Sequence, residues 1–357
     1  MLPLVSILFP CYNAEKYLAF SLKSILNQDY KNLQVICIND GSKDNTLNIL
    51  KSEQSKDERI VIINNEVNLG LIDSLNKSFD FIKGDFFARM DADDFSPPNR
   101  ISLQVEFLLK NSQYDLVSSA YSYFRENGGR LKYVPPLGKL QNSLKFISLF
   151  STPLAHGSVM GKTSLIRNGQ YFYDKKFSHA EDFELFSRLC WQNVPMTNMS
   201  DSLYWARLNS TSVSAVFNEA QIKTNQKIIG RNLNEYLGIE ETINEKILKI
   251  ISSRIDVKIS RLELNTALSL LNSFYQVTET KMSFSREEKM EIKNYLNLQK
   301  LNIIIQSNKM LFKSSKLQNI PFFIFSLSLL KFQQLGLIIK KLQGYLQGKT
   351  QTFNHLQ

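Results

Sequence analysis

Between Leu4 and Phe124 the chain switches repeatedly between two hydrophobic periods, and this alternation restricts the fold more than any other feature. Leu4–Pro10 (LVSILFP) is a short apolar run ended by proline. Ala14–Gln28 then carries Tyr17, Leu18, Leu22, Ile25 and Leu26 at helical spacing. Leu33–Asn39 (LQVICIN) is apolar and β-branched, as a buried strand requires. A helix follows over Thr46–Glu53, with Asp44 placed to cap it. The same reading gives strands at Arg59–Ile63, Asp85–Met90 and Tyr114–Phe124, and helices at Leu71–Ile82 and Arg100–Lys110.

Strand and helix in turn, with short links, predict βαβ units: an α/β fold with a mostly parallel sheet flanked by helices. In such a sheet ligands bind beyond the carboxyl ends of the strands. Four polar segments fall there: Pro10-Cys11-Tyr12-Asn13, Asp40-Gly41-Ser42, Asn68-Leu69-Gly70 and Asp91-Ala92-Asp93-Asp94. From Phe150 to Ser214 the pattern is less regular, apart from an amphipathic helix at Ala180–Gln192. Beyond residue 220 the chain reads as helices. A length of 357 residues fits two domains, with boundaries at 1–219 and 220–357.

Cys11, Cys37 and Cys190 are too few and too scattered for a disulfide framework or a zinc site. They read as small buried hydrophobes in a reducing, cytoplasmic setting. The N-terminus runs straight into a strand without a basic leader, which argues against a signal peptide. The net charge of +10 is unevenly distributed. Residues 1–220 carry 23 basic and 23 acidic side chains, whereas the remainder carries 20 and 10.

Asp91 and Asp93 follow an apolar strand and, in an extended turn, present two carboxylates on one side. Hard oxygen donors of this kind suit Mn²⁺ or Mg²⁺. Taken alone, the motif is equally an acidic turn that caps the helix start at Pro97-Pro98. Asp40 is an acceptor suited to the N–H of a pyrimidine base, or a plain turn residue. Asp182, in the first turn of its helix, is either a dipole-stabilising carboxylate or a general base for a hydroxyl. His156 reads as a structural histidine, and Tyr204-Trp205 as core packing.

The run VSILFPCYNAEKYLAFSLKSILNQDY–KNLQVICINDGSKDNT, followed by NLGLIDSLNKSFDFIKGDFFARMDADDFSPPNRI, resembles the family-two glycosyltransferases of the GT-A fold. HGSVMGKTSLIRNG, FSHAEDFELFSRL and YWARLNSTSVS resemble the acceptor-side half of that family. The resemblance covers residues 3–215, with five motifs in order. It implies an inverting, metal-dependent enzyme that moves sugar from a nucleotide-sugar to an acceptor hydroxyl in bacterial polysaccharide or lipopolysaccharide synthesis. It implies that Pro10, Tyr12 and Asp40 hold uridine, with Asn13 in the same loop and Asn68 and Gly70 near the nucleotide. Asp91 and Asp93 then meet the ribose and the metal–diphosphate, with Asp94 a third acid at the metal. Asp182 is the matching base, and His156 and Arg207 lie near the transferred sugar or diphosphate. The chain departs from the family pattern at Asn39, where an acid is usual, at Leu75, where an arginine is frequent, and at Asn209, where a histidine is usual. The Gln-x-x-Arg-Trp motif of polymerising members is absent, which argues for one sugar per encounter.

Other readings are a nucleotidyltransferase and a non-catalytic nucleotide-sugar-binding scaffold. The first lacks a glycine-rich phosphate loop after strand one, and the full acid set argues against the second. Ile320–Leu330 is uncharged but too short to span a bilayer, and lysines flank it. It reads as a peripheral contact with an anionic membrane surface on the inner face, as expected for a lipid-linked glycan acceptor. Alternatively it packs on the catalytic domain or on a second copy in a homo-oligomer. Nothing supports nucleic-acid binding.

Overall fold

The computed structural model describes residues 2–125, 130–208, 219–239, 243–252 and 259–313. The Ile320–Leu330 segment and Asn209 lie outside the described residues. The chain divides into two compact units: Met1–Ser148 with Thr152–Asn209, and Leu149–Ser151 with Ser210–Gln357.

In the first unit the elements run β1 (Val5–Cys11), α1 (Leu18–Leu26), β2 (Leu33–Asp40), α2 (Thr46–Gln54), β3 (Ile60–Asn65), α3 (Leu71–Ser78), β4 (Phe86–Arg89), α4 (Arg100–Lys110) and β5 (Leu116–Phe124). They continue through β6 (Arg130–Val134), α5 (Gln141–Ile147), β7 (Met160–Lys162), α6 (Ser164–Arg167), α7 (Glu181–Trp191) and β8 (Met196–Arg207). The strand order is β3-β2-β1-β4-β7-β5-β6, with β8 also on β5. The half built from strand–helix repeats, β3-β2-β1-β4, is parallel throughout. β7 enters antiparallel to both β4 and β5, and β6 antiparallel to β5, so the sheet is mixed beyond β4. β8 returns parallel to β5.

The period-two alternation sorts each strand's side chains between two layers. Val5, Ile7 and Phe9 of β1 and Val35 and Cys37 of β2 pack with Leu18, Leu22 and Ile25 of α1 and Ile101 and Val105 of α4. Leu8, Ile36 and Ile38 face the other way, onto Ile72 and Leu75 of α3 and Leu185, Phe186 and Leu189 of α7. All eight residues of β2 are therefore buried, because helices cover both faces. The three cysteines are free and buried. α1 begins at Leu18, later than its apolar spacing predicts. Asn13 adopts a left-handed φ of 46°, and a turn bonded from Tyr17 N–H to the Ala14 carbonyl precedes the helix.

The second unit contains α8 (Glu219–Leu237), α9 (Glu245–Ile251), α10 (Arg261–Met282) and α11 (Arg286–Lys313). Ser260 and Glu263 form a reciprocal capping box at the start of α10. Ser285 and Glu288 do the same before α11. Leu233, Ile250, Leu264, Phe274 and Ile292 are among its buried side chains. No helix among the described residues is long and apolar enough to cross a membrane.

Candidate active site

The carboxyl ends of β1, β2, β3 and β4 are adjacent in the sheet, so the four polar loops share one rim. Side chain–backbone hydrogen bonds lace the first three together. Asn13 donates its N–H to Ser42 Oγ at 3.0 Å, and its Oδ1 accepts from Lys43 N–H at 2.9 Å. Thr46 Oγ1 accepts the Ala14 N–H at 2.8 Å. Asp44 Oδ1 accepts the Thr46 N–H, serving the start of α2 as expected, and its Oδ2 accepts from Glu15.

Asp40 is less open than a base-recognising acceptor need be: it is only 4% exposed. Its Oδ1 accepts the Leu69 N–H at 2.8 Å and the Asn65 amide at 3.0 Å, and its Oδ2 accepts the Gly70 N–H at 2.9 Å. Its first task is thus to hold the Asn68-Leu69-Gly70 loop against β2. Three of about four acceptor positions are occupied, which leaves one on Oδ2. Gly41 is required beside it: φ is +65°, and an added Cβ would lie 2.5 Å from the Asn68 nitrogen. Asn68 Oδ1 accepts from Gly70 N–H, and Gly70 (φ 86°) opens α3. Tyr12 is half exposed at the same rim, after Pro10.

The acidic loop after β4 is rigid. Phe95 and Trp205 exchange backbone hydrogen bonds at 3.0 and 2.9 Å, pinning the loop to β8. Its three aspartates differ sharply. Asp94 is buried. Its Oδ2 accepts from the Tyr204 hydroxyl and its Oδ1 from the Arg207 N–H. Burial, then Asp91 and Asp93, push its carboxyl well above the usual range. Asp94 therefore fastens the loop to β8. Asp91 keeps a third of its side chain exposed and takes both terminal nitrogens of Arg89, at 2.5 and 2.7 Å. The Tyr204 hydroxyl also lies 3.0 Å from Asp91 Oδ2, so its single proton is shared between the two carboxylates. Asp93 has no ion pair among the described residues. Burial and then the neighbouring Asp91 raise its carboxyl above the ordinary range.

The Arg207 guanidinium lies over the rings of Tyr17, Phe124 and Phe20, at 4.3, 4.5 and 5.2 Å. Its Nε donates to the Asp93 carbonyl at 2.6 Å. It ties the acidic loop to α1 and β5. Tyr204, read from sequence as packing, instead bridges two acids.

Asp182 and Glu181 open α7, just after His179 in a left-handed backbone conformation (φ 72°). Asp182 Oδ1 accepts the Phe183 N–H at 2.8 Å. Glu181 feels both Asp91 and Arg89, so the start of α7 and the acidic loop share one electrostatic environment. Burial, then Asp182, push the Glu181 carboxyl up to about 7. Between about pH 4.5 and 7 the folded protein keeps a proton that the unfolded chain gives up, so stability falls as pH rises through that window. Glu181→Gln should flatten this slope, raising stability at pH 8 relative to pH 5 by on the order of 2 kcal/mol. Urea midpoints at the two pH values measure it. An unchanged slope would show that Glu181 titrates normally.

His156 Nε2 lies 2.7 Å from the Tyr173 hydroxyl, which is 3.2 Å from that of Tyr171. Burial, then Arg89, keep the imidazole neutral. It is a member of a buried hydrogen-bonded chain next to Arg89. Two buried arginines underlie the site and escaped the sequence reading. Arg89 is 4% exposed and Arg100 fully buried. Arg100 donates to the Arg89 carbonyl at 2.7 Å and to Gln104 at 3.1 Å. The signal was present: an arginine inside the otherwise apolar strand FFAR is anomalous unless it is paired.

Among the described residues, no three acidic, histidine or cysteine side chains form a closed metal cage. The donor set nevertheless fits a divalent cation that takes most of its ligands from a diphosphate. Asp93 supplies a hard carboxylate at the rim that has no ion pair among the described residues. A shallow depression lined by Lys31, Glu58, Arg59 and Lys83 lies at the amino ends of the strands, opposite these acids. Its Arg59 is paired with Asp57.

The mixed α/β sheet with helical cover and a carboxylate-rich rim has the architecture of the GT-A fold. The family model described as Glycosyl transferase family 2 matches residues 6–168. An uncharacterized glycosyltransferase of Haemophilus influenzae strain Rd is 35% identical over 263 residues, covering 70% of this chain and 79% of that protein. The chain belongs to glycosyltransferase family 2. Its fold is similar to that of Staphylococcus aureus TarS 1–349 in complex with UDP-GlcNAc: TM-score 0.54, 16% identity, 97% of this chain and 92% of that one. It is similar also to the mannosyltransferase PcManGT of Pyrobaculum calidifontis in complex with GDP-Man and Mn²⁺: TM-score 0.54, 13% identity, 88% of each chain.

Proposed function

We propose that the chain is an inverting, metal-dependent glycosyltransferase that moves one sugar from a nucleoside diphosphate sugar, UDP-linked by preference, to an acceptor hydroxyl. The observation that carries this reading is the convergence of Asp91, Asp93 and Glu181 around one buried guanidinium at the rim of the parallel strands, with Asp182 beside Glu181. The laced loops of residues 10–13, 40–42 and 68–70 line the nucleotide side, with Tyr12 as an exposed aromatic face and Asp40 keeping one acceptor position. The Asp182 carboxylate takes the acceptor proton while that oxygen bonds to the anomeric carbon. The bond from that carbon to the diphosphate oxygen breaks, and the nucleoside diphosphate leaves with the electron pair. Asp93 would hold Mn²⁺ or Mg²⁺, which when bound would supply charge neutralisation for the leaving diphosphate. Arg207 contributes by holding the Asp93 main chain.

Catalysis is assigned to residues 1–219. The basic sequence of residues 220–357 supports a lipid-linked glycan acceptor at an anionic membrane surface and a role in cell-surface polysaccharide or lipopolysaccharide synthesis. Transfer of a single sugar is supported by the lack of the polymerising motif.

The test is thermal stabilisation by UDP, GDP and CMP, and by their sugar conjugates, with and without Mn²⁺. A Mn²⁺-dependent rise with one nucleotide is expected, and no rise with any of them would overturn the reading. Asp93→Ala should weaken binding of that nucleotide about 10-fold or more in Mn²⁺, the scale of one lost charge-assisted contact, yet leave affinity in EDTA unaltered. Calorimetry giving wild-type Mn²⁺ affinity would count against Asp93 as the metal carboxylate.

A further inference from the structure

The two aspartates of the acidic motif are chemically unequal. Asp91 shares its charge with a guanidinium that is 4% exposed, through two parallel hydrogen bonds. That fork–fork geometry fixes the plane of the carboxylate as well as neutralising it. With Tyr204 on Oδ2, three of about four acceptor positions of Asp91 are filled, and the remaining one is on Oδ1. Bidentate chelation of a cation by Asp91 is therefore blocked, and a cation gains little from a carboxylate already neutralised. Asp93, two residues on, has no such partner among the described residues. The Arg89 main chain is itself held, since Arg100 donates to the Arg89 carbonyl and Gln104 anchors Arg100.

Resting on the nucleotide-sugar reading above, we propose that Arg89 is a positioning residue that divides the labour of the two aspartates. By clamping Asp91 it reserves that carboxylate's free Oδ1 position for a hydroxyl of the bound nucleotide-sugar and leaves the divalent cation to Asp93. Arg89 touches neither ligand; it acts through Asp91. A lysine keeps the charge but, as a single point donor, does not fix the carboxylate plane.

The test titrates UDP and GDP calorimetrically into full-length wild type, Arg89→Lys, Asp91→Asn and the double variant, each with Mn²⁺ and with EDTA. Circular dichroism verifies folding, and Arg89→Gln replaces Arg89→Lys if the latter does not fold. Arg89→Lys should weaken nucleotide binding about 10-fold by the same factor in Mn²⁺ and EDTA, unlike Asp93→Ala, whose loss is confined to Mn²⁺. The double variant should bind no more weakly than Asp91→Asn, because both changes remove one contact. Wild-type affinity in the Arg89 variant, a loss confined to Mn²⁺, or fully additive losses would each overturn the proposal. Failure of the wild type to bind either nucleotide would overturn the nucleotide-sugar reading first, a result seen before any variant is compared.

Discussion

Replacing Asp182 by asparagine is expected to lower sugar-transfer turnover by about 10²–10⁴, the usual contribution of a general base, with donor affinity little changed. The substitution preserves size and the acceptor oxygen for the Phe183 N–H, which Asp182 Oδ1 now serves at 2.8 Å. The start of α7 should therefore hold its shape, and the loss should fall on kcat rather than on the donor KM. Glu181 provides an internal comparison. Its carboxyl is pushed up to about 7 by burial and by Asp182 itself. If Glu181 were the proton acceptor instead, Glu181→Gln would carry the large loss and Asp182→Asn would not. Steady-state rates for both variants with a Mn²⁺-supported donor decide between them; wild-type turnover in Asp182→Asn would remove the assignment.

Much of the fold was legible because burial on both faces leaves a plain trace. β1 and β2 are continuous apolar runs, and α4 spans the residues its periodicity marks. β6, β7 and β8 were not read. β7 has only three residues, and β8 contains Asn198, Ser200, Asp201 and Ser202, which interrupt any apolar alternation. Its pairing with β5 shifts register between Ser119 and Tyr121, so a simple period does not describe it. At the site, residue types were legible but orientations were not. Asp91, Asp93 and Asp94 are interchangeable in a sequence. In space one is clamped by Arg89, one is half-buried without an ion pair among the described residues, and one is buried beneath Tyr204. The Asp94 contacts come from β8, distant in sequence from the motif, while the Arg89 clamp is close in sequence but its direction cannot be read from residue types. Arg207 illustrates the same limit: its position was noted, but its enclosure by Tyr17, Phe20 and Phe124 depends on three separate elements.

The dependence of the acidic loop on β8 leads to a prediction at a residue with no functional group. An alanine Cβ at Gly157 would lie 2.6 Å from Tyr204 Cε1 and closer still to the end of the ring. The ring has no room to retreat. Tyr204 is 4% exposed, its hydroxyl is fastened to Asp94 and Asp91, and the Arg100 guanidinium lies 5.5 Å from the ring centre. Gly157→Ala should therefore destabilise the catalytic unit by about 3 kcal/mol, at the upper end of overpacking costs. It should also lower turnover, because displacing the Tyr204 hydroxyl frees Asp94 and unseats Asp91. Thermal melting and rate measurements test both effects. Tyr204→Leu in the Gly157→Ala background relieves the collision without restoring the hydroxyl, so it should recover melting temperature but not activity, separating packing from the hydrogen bonds. A Gly157→Ala protein that melts and turns over like wild type would mean that Tyr204 is free to move and that its bridge between the two aspartates is not what fixes the loop.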